Sequence, residues 1–331
     1  MLFVTNRTPR QSPRSRRNRR ISFDLNNTAV SQYLYFCERQ GVGDYLEIMH
    51  EAFFERLRDL SSRKTEVLLY IHGFNNTPEE SIFPKAQRLQ ALLDEHAGVD
   101  AFHVVPLIWP CDDDSFVAIA DDYWDDQAAA DRSGGSFARM LGFFDGWRRC
   151  EAEAAASESR PPCTRRINIL SHSMGARVLR NALREWVEEL GGGQMPMMFR
   201  NMFLMAPDVR NLTLEADQDG RYLPVAARNL VVYYAGDDLA MPASKVANLR
   251  SRTVSQRLGM TGPRNLDRVP ENVYAVDCDD FNNSCDPPLG HGYHVDCADG
   301  RPSPALLHMI RVLTTGRVEP DVRRQRLSSG G

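Results

Sequence analysis

The stretch that most constrains this chain runs from Arg166 to Arg177 and predicts a short buried strand followed directly by a helix. Ser173 stands at the junction, within the pentapeptide S-H-S-M-G. This pattern is close to G-x-S-x-G, the nucleophile elbow, in which a sharp turn lifts a serine hydroxyl above the edge of a sheet. Ser171 and Gly175 are small enough for strand and helix to pass close together. The pentapeptide is a weak signal alone, so the rest of the chain must supply a base, an acid and an oxyanion hole.

Apolar runs recur along the chain and alternate with amphipathic segments, which is typical of sheets flanked by helices. Predicted strands of this kind cover 67–71, 102–109, 199–206, 230–234 and 272–277. Continuous apolar runs are characteristic of parallel strands that are covered on both faces. The pattern therefore predicts an α/β fold with a doubly wound, mostly parallel sheet.

The 331 residues suit one large domain with an inserted helical segment. Residues 1–60 are expected to supply N-terminal strands and an amphipathic helix over 45–60. Residues 61–316 are expected to form the core of the domain, and residues 317–331 a disordered tail.

An acidic segment, about residues 111–162, follows the predicted strand that ends at Trp109. It is longer than a single crossover helix usually needs. We therefore expect helical cover over the site, with a second amphipathic piece after Gly134-Gly135. Its many aspartates could select a cationic substrate or a divalent ion, but such a run more often forms a solvated face, and we favour that interpretation.

The overall composition argues against several classes of protein. A net charge of −4 gives no reason to expect a nucleic-acid partner. No stretch is long and apolar enough to span a membrane, and the N-terminus lacks the apolar core of a secretory signal. The seven cysteines are expected to be mostly reduced thiols of a cytoplasmic protein. The absence of C-x-x-C pairs around Cys278, Cys285 and Cys297 argues against zinc, and we expect no metal or cofactor.

An arginine-rich run without acidic residues extends from Arg7 to Arg20. It could contact an anionic surface, or it could be a transit peptide, since such peptides are rich in arginine and poor in acids. A solvated loop is the interpretation we favour, because the strand-like start at Phe3-Val4-Thr5 does not suit a targeting peptide.

Three histidines follow Ser173 in the chain and are the candidates for the base that takes its proton. His308 falls within a predicted apolar helix and is expected to be a packing residue. His291 stands between two glycines, in a loop that can carry an imidazole over the sheet, and His294 is the alternative base. We favour His291.

The acid is expected at the end of a strand between the serine and the histidine, where it would orient the imidazole. Asp208 ends one predicted strand, and Asp237 and Asp238 follow the next. The strand nearer to the histidine loop is the more common position, which favours the Asp237-Asp238 pair. Asp208 is expected to cap the turn after Pro207.

An oxyanion hole requires two backbone N–H groups. One is expected from Met174, directly after the serine, and the other from Phe74, after the strand that ends in His72-Gly73. His72 is expected to shape this loop, and His172 to have a structural role. Asn75 could hold the loop through its side chain or could be an ordinary turn residue.

Seven short segments occur in an order that resembles a bacterial α/β-hydrolase family catalogued as a domain of unknown function. Together they span roughly residues 2–313, and the ordered set is far more specific than any one segment; the segments are Phe3-Val4-Thr5-Asn6-Arg7, His72-Gly73-Phe74-Asn75, Ile108-Trp109-Pro110, Ser171-His172-Ser173-Met174-Gly175, Ala206-Pro207-Asp208, Asp237-Asp238-Leu239-Ala240-Met241 and Gly290-His291-Gly292-Tyr293.

The resemblance implies an α/β-hydrolase fold and a serine hydrolase, without naming a substrate. The family places its acid in an N-D-x-A-L-like segment, which falls on Asp238, and its histidine in a G-H-S-Y-like segment, which falls on His291. This chain departs from the pattern at Gly292, where the family has serine, and in its longer acidic insert.

These features together predict a serine hydrolase that cleaves a carboxylic ester, or equally a thioester or an amide, with Ser173, His291 and Asp238 as the triad. A small acyl ester is the expected partner, and the sequence leaves the oligomeric state open. The alternative is a catalytically silent fold used as a binding module, with the arginine-rich start and the acidic insert as interaction surfaces.

Overall fold

The runs predicted as strands form the centre of one mixed β-sheet. The computed structural model describes residues 1–60, 65–111, 119–159, 163, 165–190, 193–240, 256–319 and 322–329. Within these ranges the sheet has 11 strands. The strands are β1 (Leu2–Arg7), β2 (Arg19–Ile21), β3 (Val30–Gly41), β4 (Asp44–Glu47), β5 (Glu66–Ile71), β6 (Phe102–Ile108), β7 (Ile167–His172), β8 (Phe199–Met205), β9 (Ala227–Tyr234), β10 (Val273–Asp277) and β11 (Arg324–Arg326).

The strand order is β11-β10-β9-β8-β7-β5-β6-β1-β3-β4-β2. The pairings from β11 to β1 are parallel, whereas β3, β4 and β2 add antiparallel strands beyond β1. All the parallel strands therefore end at the same edge of the sheet, which we call the carboxyl edge. Ligand sites of open α/β sheets lie at this edge.

Helices cover both faces of the sheet. They are α1 (Met49–Arg58), α2 (Phe83–Ala97), α3 (Ile119–Ser157), α4 (Gly175–Glu185), α5 (Tyr222–Val225), α6 (Leu258–Thr261), α7 (Asn282–Cys285) and α8 (Pro304–Thr315), with π-helical turns at Pro78–Ile82 and Trp186–Leu190 and a 3₁₀ turn at Leu266–Arg268.

Strand β5 shows how the two layers arise from the alternation of side chains. Val67 and Leu69 pack into the core shared with α1, α3 and α4. Leu68 and Tyr70 point to the opposite face and pack into the core shared with α2 and α8. The predicted doubly wound, mostly parallel α/β sheet is thus confirmed.

Two predictions about the ends of the chain are wrong. Tyr45, expected in a helix, lies in β4, and the helix starts only at Met49. The tail, expected to be disordered, contains β11, which pairs in parallel with β10 from Ala275 to Asp277. The sequence of the tail has no strand pattern of its own. It forms a strand because its backbone pairs with the open edge of β10.

The connection between β6 and β7 also differs from the expectation of separate helical pieces. One helix, α3, spans Ile119–Ser157 without a break at Gly134-Gly135. The two glycines mark a close contact instead: a Cβ atom on Gly134 would lie 2.6 Å from Asn181 Cβ, and one on Gly135 would lie 2.6 Å from Glu185 Oε2. Glycine here allows α3 to pack tightly against α4.

Two aspartates of this segment do not form the expected solvated face. Asp131 binds the Arg177 guanidinium with both oxygens at 2.6 Å and accepts a hydrogen bond from Asn181. Asp126 is buried, and its carboxylate accepts a hydrogen bond from Asn75 N at 3.3 Å. The other six aspartates of the run, between residues 112 and 125, have side chains outside those that the structure describes.

The arginine-rich run is only in part a solvated loop. Arg7 is buried and donates to the carbonyls of Asp24 and Leu25. Glu47, fully buried, binds Arg19 Nε at 2.7 Å and thereby anchors the loop. Several of the remaining arginines are exposed.

Two further expectations, mostly reduced thiols and no membrane-spanning stretch, can be compared with the structure. Five cysteines lie outside disulfide bonds, whereas Cys285 and Cys297 form a disulfide that the sequence did not predict. In the described part of the chain, no helix combines the length and the apolar character that crossing a membrane requires.

Candidate active site

Ser173 stands where β7 passes into α4, at the carboxyl edge of the sheet. Its φ of +52° is unusual for a residue with a side chain, and strain of this kind is concentrated at functional sites. Gly175 begins α4, and a Cβ atom there would lie 2.6 Å from the carbonyl oxygen of His72. Only glycine lets the helix cross strand β5 at this distance, which is the condition the elbow motif predicts.

The side chains of Asp238 and His291 form a buried pair at the same edge. Asp238 Oδ2 lies 2.6 Å from His291 Nδ1, and the Asp238 side chain is fully buried. A carboxylate can only accept, so Nδ1 carries the proton and Nε2 of the neutral ring is left as the base. Nε2 is buried and has no hydrogen-bond partner among the described residues.

Two opposing effects determine the protonation of His291. Burial is the largest single effect and lowers its pKa, but the Asp238 carboxylate, together with the charges of Asp208 and Asp286, raises it more, so the pKa lies above the ordinary value of 6.5. The imidazolium that a general base forms during turnover is therefore stabilised in this environment.

The alternative acids have other partners. Asp208 Oδ1 lies 3.2 Å from Arg257 Nε, and both side chains are buried. Asp237 accepts hydrogen bonds from the amide groups of Asn282 and Asn283. Asp238 is the predicted acid whose carboxylate bonds the His291 ring.

His294, predicted as the alternative base, belongs to a stack of buried rings next to the Asp238–His291 pair. Its ring packs on His172 with centroids 3.9 Å apart, and its Nε2 lies 3.3 Å from the Tyr70 hydroxyl. Burial lowers the pKa of both His172 and His294 well below the ordinary value, so both are neutral at pH 7.

His172 also connects the elbow to the histidine loop. Its Nε2 lies 3.1 Å from the carbonyl oxygen of His291, to which it must donate, and the two rings are 4.8 Å apart. Since His172 directly precedes Ser173, this contact brings the serine and His291 to the same place on the edge.

His72 shapes the loop after β5. Its Nε2 accepts the N–H of Trp109 at 3.2 Å, so its proton must be on Nδ1, which donates to the Gly73 carbonyl at 2.7 Å. Burial lowers the His72 pKa to about 3, which keeps this neutral form in place. The adjacent Gly73 packs closely against Ser173, because a Cβ atom there would lie 3.0 Å from Ser173 Cβ.

The two residues predicted to donate N–H groups to an oxyanion directly follow Gly73 and Ser173 in the chain. Phe74 comes after Gly73, and Met174 lies at the start of α4, where N–H groups lack intrahelical partners and favour negative charge. Asn76, not Asn75, holds the loop through its side chain: its Nδ2 donates to the Phe74 carbonyl at 2.6 Å and to the Gly73 carbonyl at 3.3 Å.

Sequence reasoning missed Asp286. Its Oδ2 accepts the N–H groups of both His291 and Gly292, at 2.9 and 2.6 Å. The only sequence signal is an aspartate five residues before the histidine, which is too common a spacing to stand out.

No group of three or more histidine, cysteine, aspartate or glutamate side chains suited to a metal ion occurs within the ranges described above. The arrangement offers a buried imidazole oriented by a carboxylate, a serine in a strained turn and a glycine loop against it. Such an arrangement is suited to nucleophilic acyl transfer.

Comparison with curated proteins and with solved structures adds no argument about function. No curated protein matches the chain. Among solved structures, the chain is similar to the Tle1 effector bound to the VgrG spike from the Type 6 secretion system, with 12% identity over 54% of this chain. The alignment spans about half (46%) of that chain and has a TM-score of 0.22, too low to carry an argument.

A family comparison covers most of the chain. Residues 49–299 match the family described as alpha/beta hydrolase of unknown function (DUF900). The matched range includes β5 to β10 and the loops that carry Ser173, Asp238 and His291. The chain belongs to this family of α/β-hydrolases.

Proposed function

We propose that the protein is a serine hydrolase that cleaves carboxylic esters through an acyl-enzyme, with Ser173 as nucleophile, His291 as general base and acid, and Asp238 as the residue that orients His291. The observation that carries the proposal is the 2.6 Å contact between Asp238 Oδ2 and His291 Nδ1, which leaves Nε2 as the basic nitrogen. Family membership supports hydrolysis as the reaction class.

The reaction proceeds in two halves. His291 Nε2 takes the proton of Ser173 as Oγ attacks the acyl carbon, and the N–H groups of Phe74 and Met174 stabilise the oxyanion. The imidazolium then protonates the leaving alcohol as the carbon–oxygen bond breaks. Water, deprotonated by His291, attacks the acyl-enzyme, and the imidazolium then returns the proton to Ser173 Oγ as its bond to the acyl carbon breaks and the acid is released. The same steps apply to a thioester or an amide.

Fluorophosphonate labelling tests the nucleophile. Wild type is expected to be labelled, and Ser173→Ala is not, because the probe forms its bond with the activated hydroxyl. Ser171→Ala is the matched control, since Ser171 is buried two residues earlier in the same elbow and alanine is also small. Equal labelling of wild type and Ser173→Ala would overturn the assignment.

Hydrolysis of esters of graded acyl chain length tests the substrate class. Turnover that is lost in Ser173→Ala supports an esterase, and the preferred chain length then defines the acyl site. If no ester, thioester or amide is cleaved and the probe does not react, the alternative of a silent binding module takes its place.

A further inference from the structure

The carboxylate of Asp286 holds the backbone of the histidine loop. A single oxygen, Oδ2, accepts the consecutive N–H groups of His291 and Gly292. The backbone of the same residue contributes as well, because the Asp286 carbonyl accepts Gly290 N at 2.6 Å. A Cβ atom on Gly292 would lie 3.1 Å from Asp286 Cγ, so glycine at 292 leaves room for the carboxylate. Asp286 thus contacts three successive residues centred on His291.

Lys85 makes the corresponding contact with the oxyanion loop. Its Nζ lies 3.3 Å from Asn76 Oδ1, to which it donates. The amide nitrogen of Asn76 in turn donates to the carbonyls of Gly73 and Phe74. With its oxygen held by Lys85, the Asn76 side chain has its donor group directed at the loop that carries the Phe74 N–H.

Opposite charges connect the two loops. Burial lowers the pKa of Lys85, and Asp286 acts in the opposite direction, so the ammonium group lies within the field of that carboxylate. The positive charge of Lys85 also contributes to the low pKa of His172 and His294, the stacked rings between the loops. Lys85 thus contacts the side chain that holds the oxyanion loop, and Asp286, of opposite charge, contacts the backbone of the histidine loop.

We propose that Asp286 and Lys85 are positioning residues that hold the histidine loop and the oxyanion loop in register, with Asp286 acting on His291 and Lys85 acting through Asn76 on Phe74. The inference rests on the proposed serine hydrolase function. Neither side chain reacts, and each acts only by placing a group that does.

Substitution of Asp286 tests the first half. Asp286→Ala leaves two N–H groups without their acceptor and is expected to lower kcat roughly 10- to 100-fold with KM little changed, since a misplaced base affects the transition state. Asp286→Asn keeps an oxygen acceptor and is expected to retain more activity than Asp286→Ala. Rates are divided by the number of sites that the fluorophosphonate titrates, so loss of folded protein alone leaves kcat unchanged.

Substitution of Lys85 tests the second half. Lys85→Met removes the donor to Asn76 and is expected to lower kcat about tenfold, whereas Lys85→Arg restores part of the loss. If the two residues belong to one network, Lys85→Met combined with Asp286→Asn is expected to lose less than the product of the two single losses. Fully multiplicative losses would overturn the link between the loops.

The controls come from the same elements. Asp299→Asn changes an exposed aspartate of the same loop that also accepts a backbone N–H, that of Arg301 at 3.0 Å. Arg88→Met changes a cation of α2 that pairs with Asp296 at 2.9 Å. Both are expected to leave kcat unchanged, and losses equal to those of Asp286→Ala and Lys85→Met would overturn the proposal.

A spectroscopic measurement separates this inference from the proposed function. The proton on His291 Nδ1 in its short bond to Asp238 is expected to give a downfield NMR resonance that Asp238→Asn removes. Asp286→Ala is expected to shift or broaden it, and Asp299→Asn is not. An inactive wild type would contradict the proposed function while this resonance still tests the positioning. An unchanged resonance together with unchanged kcat in Asp286→Ala would overturn the positioning role of Asp286.

Discussion

Both edges of the sheet contain buried polar side chains, but they use them differently. At the amino edge, where the parallel strands begin, three asparagines form a ladder across β7, β8 and β9. Asn168 donates to Glu66 Oε2 at 2.9 Å, Asn201 donates to Asn168 Oδ1 at 2.8 Å, and Asn229 donates to Asn201 Oδ1 at 2.8 Å. The ladder ends on the Gly316 carbonyl at 3.1 Å.

At the carboxyl edge the buried polar atoms are not all paired. Within the described ranges, His291 Nε2, His172 Nδ1 and Ser171 Oγ are buried without a hydrogen-bond partner, whereas no atom of the asparagine ladder is. Buried polar groups are normally satisfied, because an unsatisfied one costs free energy. The ladder links neighbouring strands at the amino edge, whereas the carboxyl edge contains the polar groups of the proposed active site.

The largest expected effect comes from Asp238→Asn. Asparagine can donate to His291 Nδ1 and would stabilise the wrong tautomer, with the proton on Nε2. We expect kcat to fall by roughly 10⁴-fold, the scale seen when a triad aspartate is replaced in this way. Steady-state kinetics on titrated sites measures this loss.

The other two candidate acids provide the controls. Asp237→Asn is expected to change kcat little, because its partners are two asparagine amides. Asp208→Asn is expected to reduce the free energy of unfolding, by about 3–5 kcal/mol, because it leaves buried Arg257 uncompensated. If kcat falls more in either variant than in Asp238→Asn, the aspartate replaced in that variant is the acid of the triad instead of Asp238.

At the amino edge the expected effect is smaller and falls on stability alone. Asn201→Leu leaves Asn168 Oδ1 without its donor, whereas the Asn229 amide loses one of its two acceptors and keeps the Gly316 carbonyl. About 1–3 kcal/mol of unfolding free energy is therefore expected to be lost. Denaturant unfolding measures the loss, and kcat per titrated site should stay at the wild-type value. Asn26→Ala, at an exposed asparagine outside the ladder, is the control. A fall in kcat of the Asn201 variant would break the distinction between the edges.

The smallest expected effect is on the pH dependence. His291 must be neutral to accept a proton, and its pKa is raised above 6.5. We therefore expect kcat/KM to rise with pH, with a midpoint above 6.5 that moves down in Asp238→Asn. A midpoint at or below 6.5 in wild type would contradict the role of Asp238 in raising the pKa.

Stability is expected to depend on pH in the opposite direction at this residue. Because the folded state raises the His291 pKa, the contribution of this group to stability is full below the unfolded value and is lost as pH rises through the folded value. Unfolding measured across this window should show the gap between wild type and Asp238→Asn narrowing as pH rises.

Much of the fold could be predicted from local pattern. The apolar runs of β5 to β10 and the helices between them carry strong periodicity, and the elbow motif identifies Ser173 within it. The order of the strands favoured the Asp237-Asp238 pair as the acid and the loop at His291 as the base, and the family resemblance pointed to Asp238. The structure brings the side chains of Asp238 and His291 into contact. Their catalytic roles stay predictions.

Other features left no readable trace in the sequence. Gly134-Gly135 looked like a break and is a packing contact. The strand in the tail depends on the free edge of β10. Asn76 and Asp286 acquire their roles only from the backbone groups that folding brings within reach.

The sequence alone determined the layers of this protein, the turn that carries its serine and the order of the candidate triad, because periodicity, glycine and small residues act locally. The tertiary structure decided which aspartate bonds the His291 ring, that Asp208 pairs with Arg257, and which backbone groups Asn76 and Asp286 reach. Those outcomes depend on distances between residues far apart in the chain, because hydrogen bonds and buried ion pairs form only where folding brings the partners together.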